Sequence, residues 1–138
     1  MPGRSLQNAA ASLCLVEDDE AVRDGLTILL ETEGFGVRAY PSAQAFLAQA
    51  DAPCDCLITD VQMPGMDGLE LLATVKAGRP NLPVIVMTAR IDPERTARAL
   101  SRGAAAVLAK PCPPEALFAA VDQALGAAAA GTDARGDR

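Results

Sequence analysis

Asp60 ends one short apolar run, Asp18-Asp19 follows another, Thr88 closes a third and Lys110 a fourth. Carboxylates drawn together to about 4 Å repel by roughly 4 kcal/mol per pair at an effective dielectric near ~20. Such a group is tolerable only with a bound cation or a captured proton. A hard divalent ion with oxygen ligands suits it, and Mg²⁺ combines one or two carboxylates with water and phosphate oxygens. Lys110 would add a point charge and Thr88 a hydroxyl donor, which together suit a phosphoryl group, whose transfer needs mainly positioning and charge stabilisation. A carboxylate is already ionised at neutral pH, so Asp60 could attack phosphorus without a base and form an acyl phosphate. The chain has no His, which excludes Ser-His and Cys-His nucleophile systems and His-based metal sites. One acid at a strand end is ordinarily a solvated loop residue or a helix cap. Polar residues of these types, at the ends of four different apolar runs, are far less expected by chance.

These residues need elements to bring them together. Short apolar runs at 13–16, 35–40, 54–59, 84–87 and 105–109 alternate with segments of helical period. Val22, Leu26, Leu29 and Leu30 recur at helical spacing, and Gly34 suits the end of that helix. Ser42, Asp67 and Asp92-Pro93 suit helix starts, and Gly78 and Gly103 suit helix ends. Ala105 to Ala109 has poor strand propensity but is bounded by Gly103 and Pro111. The last helix is predicted to start near Pro113-Pro114 and to fray after Gly126. Strand–helix repeats with continuous apolar strands predict an α/β fold, a doubly wound five-stranded parallel sheet covered on both faces by five helices. Ligands of such sheets sit beyond the carboxyl ends of the strands, where the polar residues fall.

A chain of 138 residues fits one domain. Its formal charge of −6 argues against direct nucleic-acid binding, which depends on basic residues neutralising phosphates. No apolar run approaches membrane-spanning length and no signal-peptide pattern opens the chain. The expectation is a cytoplasmic protein with no membrane association. Its four cysteines include no CxxC pair, so they are read as reduced thiols of the interior.

The stretches LVEDDEAVR, ITDVQMPGMDGLELL, PVIVMTA and GAAAVLAKP are similar, at these distances, to the receiver domains of two-component response regulators. The resemblance runs from about Ser12 to Leu125. It implies the flavodoxin-like strand order 2-1-3-4-5, with the receiver over 12–126; the arm over 1–11 is expected to be disordered, and the tail over 127–138, rich in Ala, Gly and charges without apolar period, to be flexible. It implies Asp60 as phosphoacceptor and Mg²⁺ held by Asp19 and Asp60, by Asp18 through water and by the backbone carbonyl of Gln62. Thr88 and Lys110 would contact the phosphoryl group, and Lys110-Pro111 would be cis. The phosphodonor would be a sensor histidine kinase or a histidine phosphotransfer protein.

This chain departs from the family's commonest pattern at some positions. Val107 stands where many members carry an aromatic residue that rotates on activation, and Cys112 where a Phe often follows Lys-Pro. Arg90 and Gln62 flank the path of attacking water and are expected to set the lifetime of the phosphorylated state. Arg95, Arg98 and Arg102 recur on the fourth helix. They suit a solvated face or a contact with acids such as Glu115 or Asp122, as in a phosphorylation-dependent homodimer through helix 4, strand 5 and helix 5. The main expectation is a switch that relays phosphorylation to an unidentified downstream protein. MTARID and AFLAQA also resemble receivers of nitrogen-fixation-type regulators, so the receiver half of a DNA-binding transcriptional regulator is the alternative. An Asp-nucleophile phosphatase is disfavoured, because that class has two Asp residues separated by one intervening position after the first strand, whereas here Asp18 and Asp19 are adjacent and Asp60 stands alone after the third.

Overall fold

The computed structural model describes residues 11–49 and 52–136. Strands β1 (Ser12–Val16), β2 (Gly36–Tyr40), β3 (Cys56–Asp60), β4 (Val84–Thr88) and β5 (Ala106–Ala109) alternate with helices α1 (Glu20–Thr32), α2 (Ala43–Leu47), α3 (Gly68–Gly78), α4 (Pro93–Ser101) and α5 (Pro114–Gly136). All pairings are parallel and the order is β2-β1-β3-β4-β5. The expected fold and order are both present. Strand ends differ from the sequence reading by one or two residues, the margin expected where apolar runs grade into loops.

Side chains of a strand alternate between its faces, and here each face has its own core. Cys14, Val16, Leu57, Val84 and Val86 pack with Phe46, Leu71, Leu72 and Val75 beneath α2 and α3. Leu13, Leu15, Cys56, Ile58, Ile85 and Met87 pack with Leu30, Leu117, Val121 and Leu125 of α1 and α5. The interior strands β3 and β4 are buried at every residue, whereas β2, at the sheet edge, is mostly exposed.

The helices start where capping chemistry permits. The Ser42 hydroxyl accepts from Ala45 N, and Asp67 with Glu70 makes a reciprocal capping box. Asp92 accepts from Glu94 N ahead of Pro93, whose missing N–H costs nothing in the first turn. Gly34 and Gly103 follow helix ends with positive φ of 101° and 103°. The last helix continues past Gly126 to Gly136 through a run of Ala, the best helix former. Of the arm expected over 1–11, only Ala11 lies among the described residues; it is buried, and its carbonyl accepts from Gly36 N at 3.0 Å.

Candidate functional site: a buried ion triad at the carboxyl edge of the sheet

In the β1–β3 register Val16 lies beside Thr59, so the next residues along, Glu17 and Asp60, are neighbours. Glu17 continues the alternation of Leu13 and Leu15, Asp60 that of Cys56 and Ile58, and Lys110 that of Ala106 and Leu108, all on the α1/α5 face. The three side chains therefore emerge on one side of the sheet's end. Lys110 Nζ donates to Glu17 Oε1 at 2.8 Å and to Asp60 Oδ2 at 3.1 Å. Both acids are buried, Glu17 being 2% and Asp60 8% exposed. Burial alone would lower the Lys110 pKa; hydrogen bonds to Glu17 and Asp60 outweigh it and raise the value above 10.5. The expected cis peptide at Lys110-Pro111 is present.

Carboxylate oxygens of Glu17, Asp18 and Asp60 lie within 4.8 Å of one another, with Asp18 exposed. Three carboxylates and one ammonium leave a net charge of about −2, the complement of one divalent cation. All donors are oxygen, and the open side at Asp18 leaves room for water ligands, so the residues fit Mg²⁺.

Asp19, which the sequence reading placed on the metal, is not in this group. Its side chain caps α1 by accepting from Val22 N at 3.0 Å, and its own N–H donates to Glu17 Oε2 at 3.1 Å. Sequence reasoning took Asp18-Asp19 as the acidic pair and missed Glu17. The strand alternation, carried one position past Val16, would have selected it.

Thr88 is buried, but its hydroxyl is engaged within its own loop, donating to Arg90 O at 3.0 Å and accepting from Arg90 N at 3.2 Å. The side chains of Arg90 and Gln62 are exposed, and Gln62 N donates to Asp60 Oδ1 at 3.4 Å. Val107 is half-buried, pairs with Val86 and packs on the α2/α3 face. Gly68 opens α3 directly against the site, and a Cβ there would lie 2.2 Å from the Asp60 carbonyl oxygen.

A doubly wound parallel sheet with acids and a buried threonine at the ends of its interior strands, and a lysine just past the edge strand β5, has the arrangement of a signalling module. The family model of the response regulator receiver domain matches residues 13–122, and the chain belongs to that family of signalling domains. It is 44% identical over 117 residues to the transcriptional regulatory protein FixJ of Azorhizobium caulinodans, covering 83% of this chain and 55% of that protein. The response regulator protein FleR of Pseudomonas aeruginosa is 42% identical over 110 residues, covering 79% and 23%. Full-length FixJ from B. japonicum superposes with a TM-score of 0.81 at 37% identity, covering 90% of this chain and 63% of that one. The chain spans about half the length of the FixJ relatives it matches. No helix among the described residues is long and apolar enough to cross a membrane.

Proposed function

We propose that this domain accepts a phosphoryl group on Asp60 from a phosphohistidine of a sensor kinase or phosphotransfer protein, with Mg²⁺ at Glu17, Asp18 and Asp60, and relays the change to a partner. The observation that carries this reading is Lys110 bridging buried Asp60 and Glu17 at the carboxyl edge of the sheet. Bound Mg²⁺ would supply charge neutralisation for the incoming phosphoryl oxygens. Lys110 is already within reach of Asp60 Oδ2 and can follow the new charge. Asp60 Oδ1, met only at 3.4 Å by Gln62 N, is the more accessible nucleophile. The Gln62 carbonyl remains the resemblance's choice for a further metal ligand.

Phosphorylation adds about one net negative charge and three acceptor oxygens. Thr88 must release Arg90 O for its hydroxyl to donate to one of them, and this would free the β4–α4 loop. Relay would then pass through α4, with Arg95, Arg98 and Arg102 exposed, and a phosphorylation-dependent homodimer through α4, β5 and α5 is one such output. Val107 cannot swing a ring, so the loop and α4 would carry the switch. Arg90, exposed in the loop after Thr88, and Gln62, exposed beside Asp60, are the residues expected to govern the lifetime of the acyl phosphate.

The reading assigns no turnover of an external substrate, a cytoplasmic setting and no direct contact with nucleic acid. The naming of the FixJ relatives as transcriptional regulators supports a second reading, the receiver half of a DNA-binding regulator. Incubation with a small acyl phosphate and Mg²⁺, read by mass spectrometry, is expected to label Asp60 once per chain without sustained donor hydrolysis. An Asp60→Asn protein that labels equally well, or wild type that never labels, overturns the reading.

A further inference from the structure

Glu17 is longer than an aspartate by one methylene and carries one more rotatable bond, so its carboxylate needs more restraint to stay in one place. Beyond the main-chain bond from the Glu17 N–H to Tyr40 O at 3.0 Å, three contacts provide it. Lys110 holds Oε1, the Asp19 N–H holds Oε2 at 3.1 Å, and the guanidinium of Arg23 donates through Nη1 to the Glu17 main-chain carbonyl at 3.0 Å. The first two act on the carboxylate itself and would be disturbed by a metal ion there. The third acts on the backbone and can persist.

Arg23 is well placed for this. It lies in the first turns of α1, where Arg23 N donates to Asp19 O at 2.8 Å, and the Thr27 hydroxyl donates to Arg23 O at 2.8 Å. Its side chain is half-buried and reaches from α1 back to the end of β1. The bond therefore spans the turn between strand and helix and fixes the point from which the Glu17 side chain leaves the sheet. The adjoining residues of that turn are Asp18, exposed, and Asp19, committed to the cap.

We infer that Arg23 is a positioning residue for the acidic cluster: by anchoring the Glu17 carbonyl it keeps the Glu17 carboxylate facing Asp60 and so sets the affinity for a divalent cation. The inference rests on the proposed Mg²⁺ site and deepens it. Two physical effects of removing Arg23 have opposite signs, which makes the idea decidable. As a charge, a guanidinium bonded to the Glu17 main chain repels a cation held by that residue's carboxylate, so its loss alone would strengthen binding. As an anchor, its loss lets Glu17 wander and weakens binding.

The test titrates the full chain with MgCl₂ alone by calorimetry and also measures the unfolding midpoint of each variant. Arg23→Ala is expected to raise the Mg²⁺ Kd by about three- to tenfold, and Arg23→Lys, which retains a donor of similar reach, to recover part of the loss. Thr27→Ala, which takes a hydrogen bond from the same helix without touching Glu17, is expected to leave the Kd unchanged whatever it does to the midpoint. An unchanged or lower Kd in Arg23→Ala overturns the inference. So does a Thr27→Ala protein that loses Mg²⁺ affinity in step with its midpoint, which would mark the effect as general loosening of α1. Wild type that binds no Mg²⁺ would sink the proposed site and this inference with it, whereas normal wild-type binding with an indifferent Arg23→Ala sinks the inference alone.

Discussion

Glu17 presents its carboxylate to Lys110 beside Asp60, while Asp19, two positions on, spends its side chain on the first turn of α1. Substituting each in turn therefore separates ligand from cap. Glu17→Ala is expected to weaken Mg²⁺ binding by at least about tenfold. Asp19→Ala is expected to cost about 1 kcal/mol of stability through the lost cap, with a smaller change in Mg²⁺ affinity. Calorimetric titration and urea midpoints on the two variants check this, and the opposite pattern would return Asp19 to the metal. The buried thiols and the lysine set the alkaline limit. Burial pushes Cys56 from 9.0 up to about 12, and the partners of Lys110 raise its value above 10.5. With both raised, the folded state holds protons that the unfolded chain gives up. The stabilisation is complete below 9.0 for Cys56 and below 10.5 for Lys110, and it is lost as pH climbs through the folded values. The hydrogen bond between Cys14 and Cys54 shifts Cys14 down and Cys54 up, so above pH 9.0 the pair adds to the loss from Cys56. Urea midpoints are expected to fall between about pH 9 and about pH 12, less steeply in Cys56→Val.

At the scale of elements, two glycines make opposite predictions. Gly68 opens α3 against Asp60, and an added Cβ would lie 2.2 Å from the Asp60 carbonyl oxygen and 2.8 Å from Val61 Cα. Both neighbours are backbone and cannot step aside, so Gly68→Ala is expected to lose about 3 kcal/mol or more and to impair labelling of Asp60. Gly25 sits inside α1 with nothing within 4 Å of an added Cβ, so Gly25→Ala is expected to gain roughly 0.5–1 kcal/mol. Chemical denaturation of both variants measures the difference. The same elements show what could be read in advance. Ser42, Asp67 and Asp92 announce their helices because a cap is a local event between residues two or three apart. Asp19 carried the same signal, but its place in an acidic run made it look like a ligand. Glu17 escaped notice because its role depends on a pairing across the sheet, Val16 with Thr59, that the chain encodes only through strand alternation. The exposure of β2 was hidden for a similar reason. Gly36 and Arg38 hint at an uncovered strand, but only the sheet order, taken from family resemblance, puts it at an edge.

At the scale of the whole molecule, the acids arrive on β1 and β3, adjacent strands that each contribute to both cores. Holding them together is therefore work done by the entire fold, and an unfolded chain has no comparable cluster. A cation that binds only the folded state stabilises it by mass action, by about 2.7 kcal/mol at a hundredfold excess over Kd. In its absence Lys110 supplies the only positive charge seen bridging Glu17 and Asp60 among the described residues, and about two negative charges stay unbalanced. Adding Mg²⁺ is thus expected to raise the unfolding midpoint and a chelator to lower it again, with the gain growing with the logarithm of free Mg²⁺ once the site is saturated. The gain should shrink strongly in Glu17→Ala and Asp60→Asn, which break the cluster. It should persist in Thr88→Ala, whose side chain bonds only to the Arg90 backbone in this state. Thermal and urea scans over a Mg²⁺ series decide the matter: a midpoint indifferent to Mg²⁺, or a gain that survives loss of Asp60, would mean that the carboxylates converge for the sake of Lys110 alone.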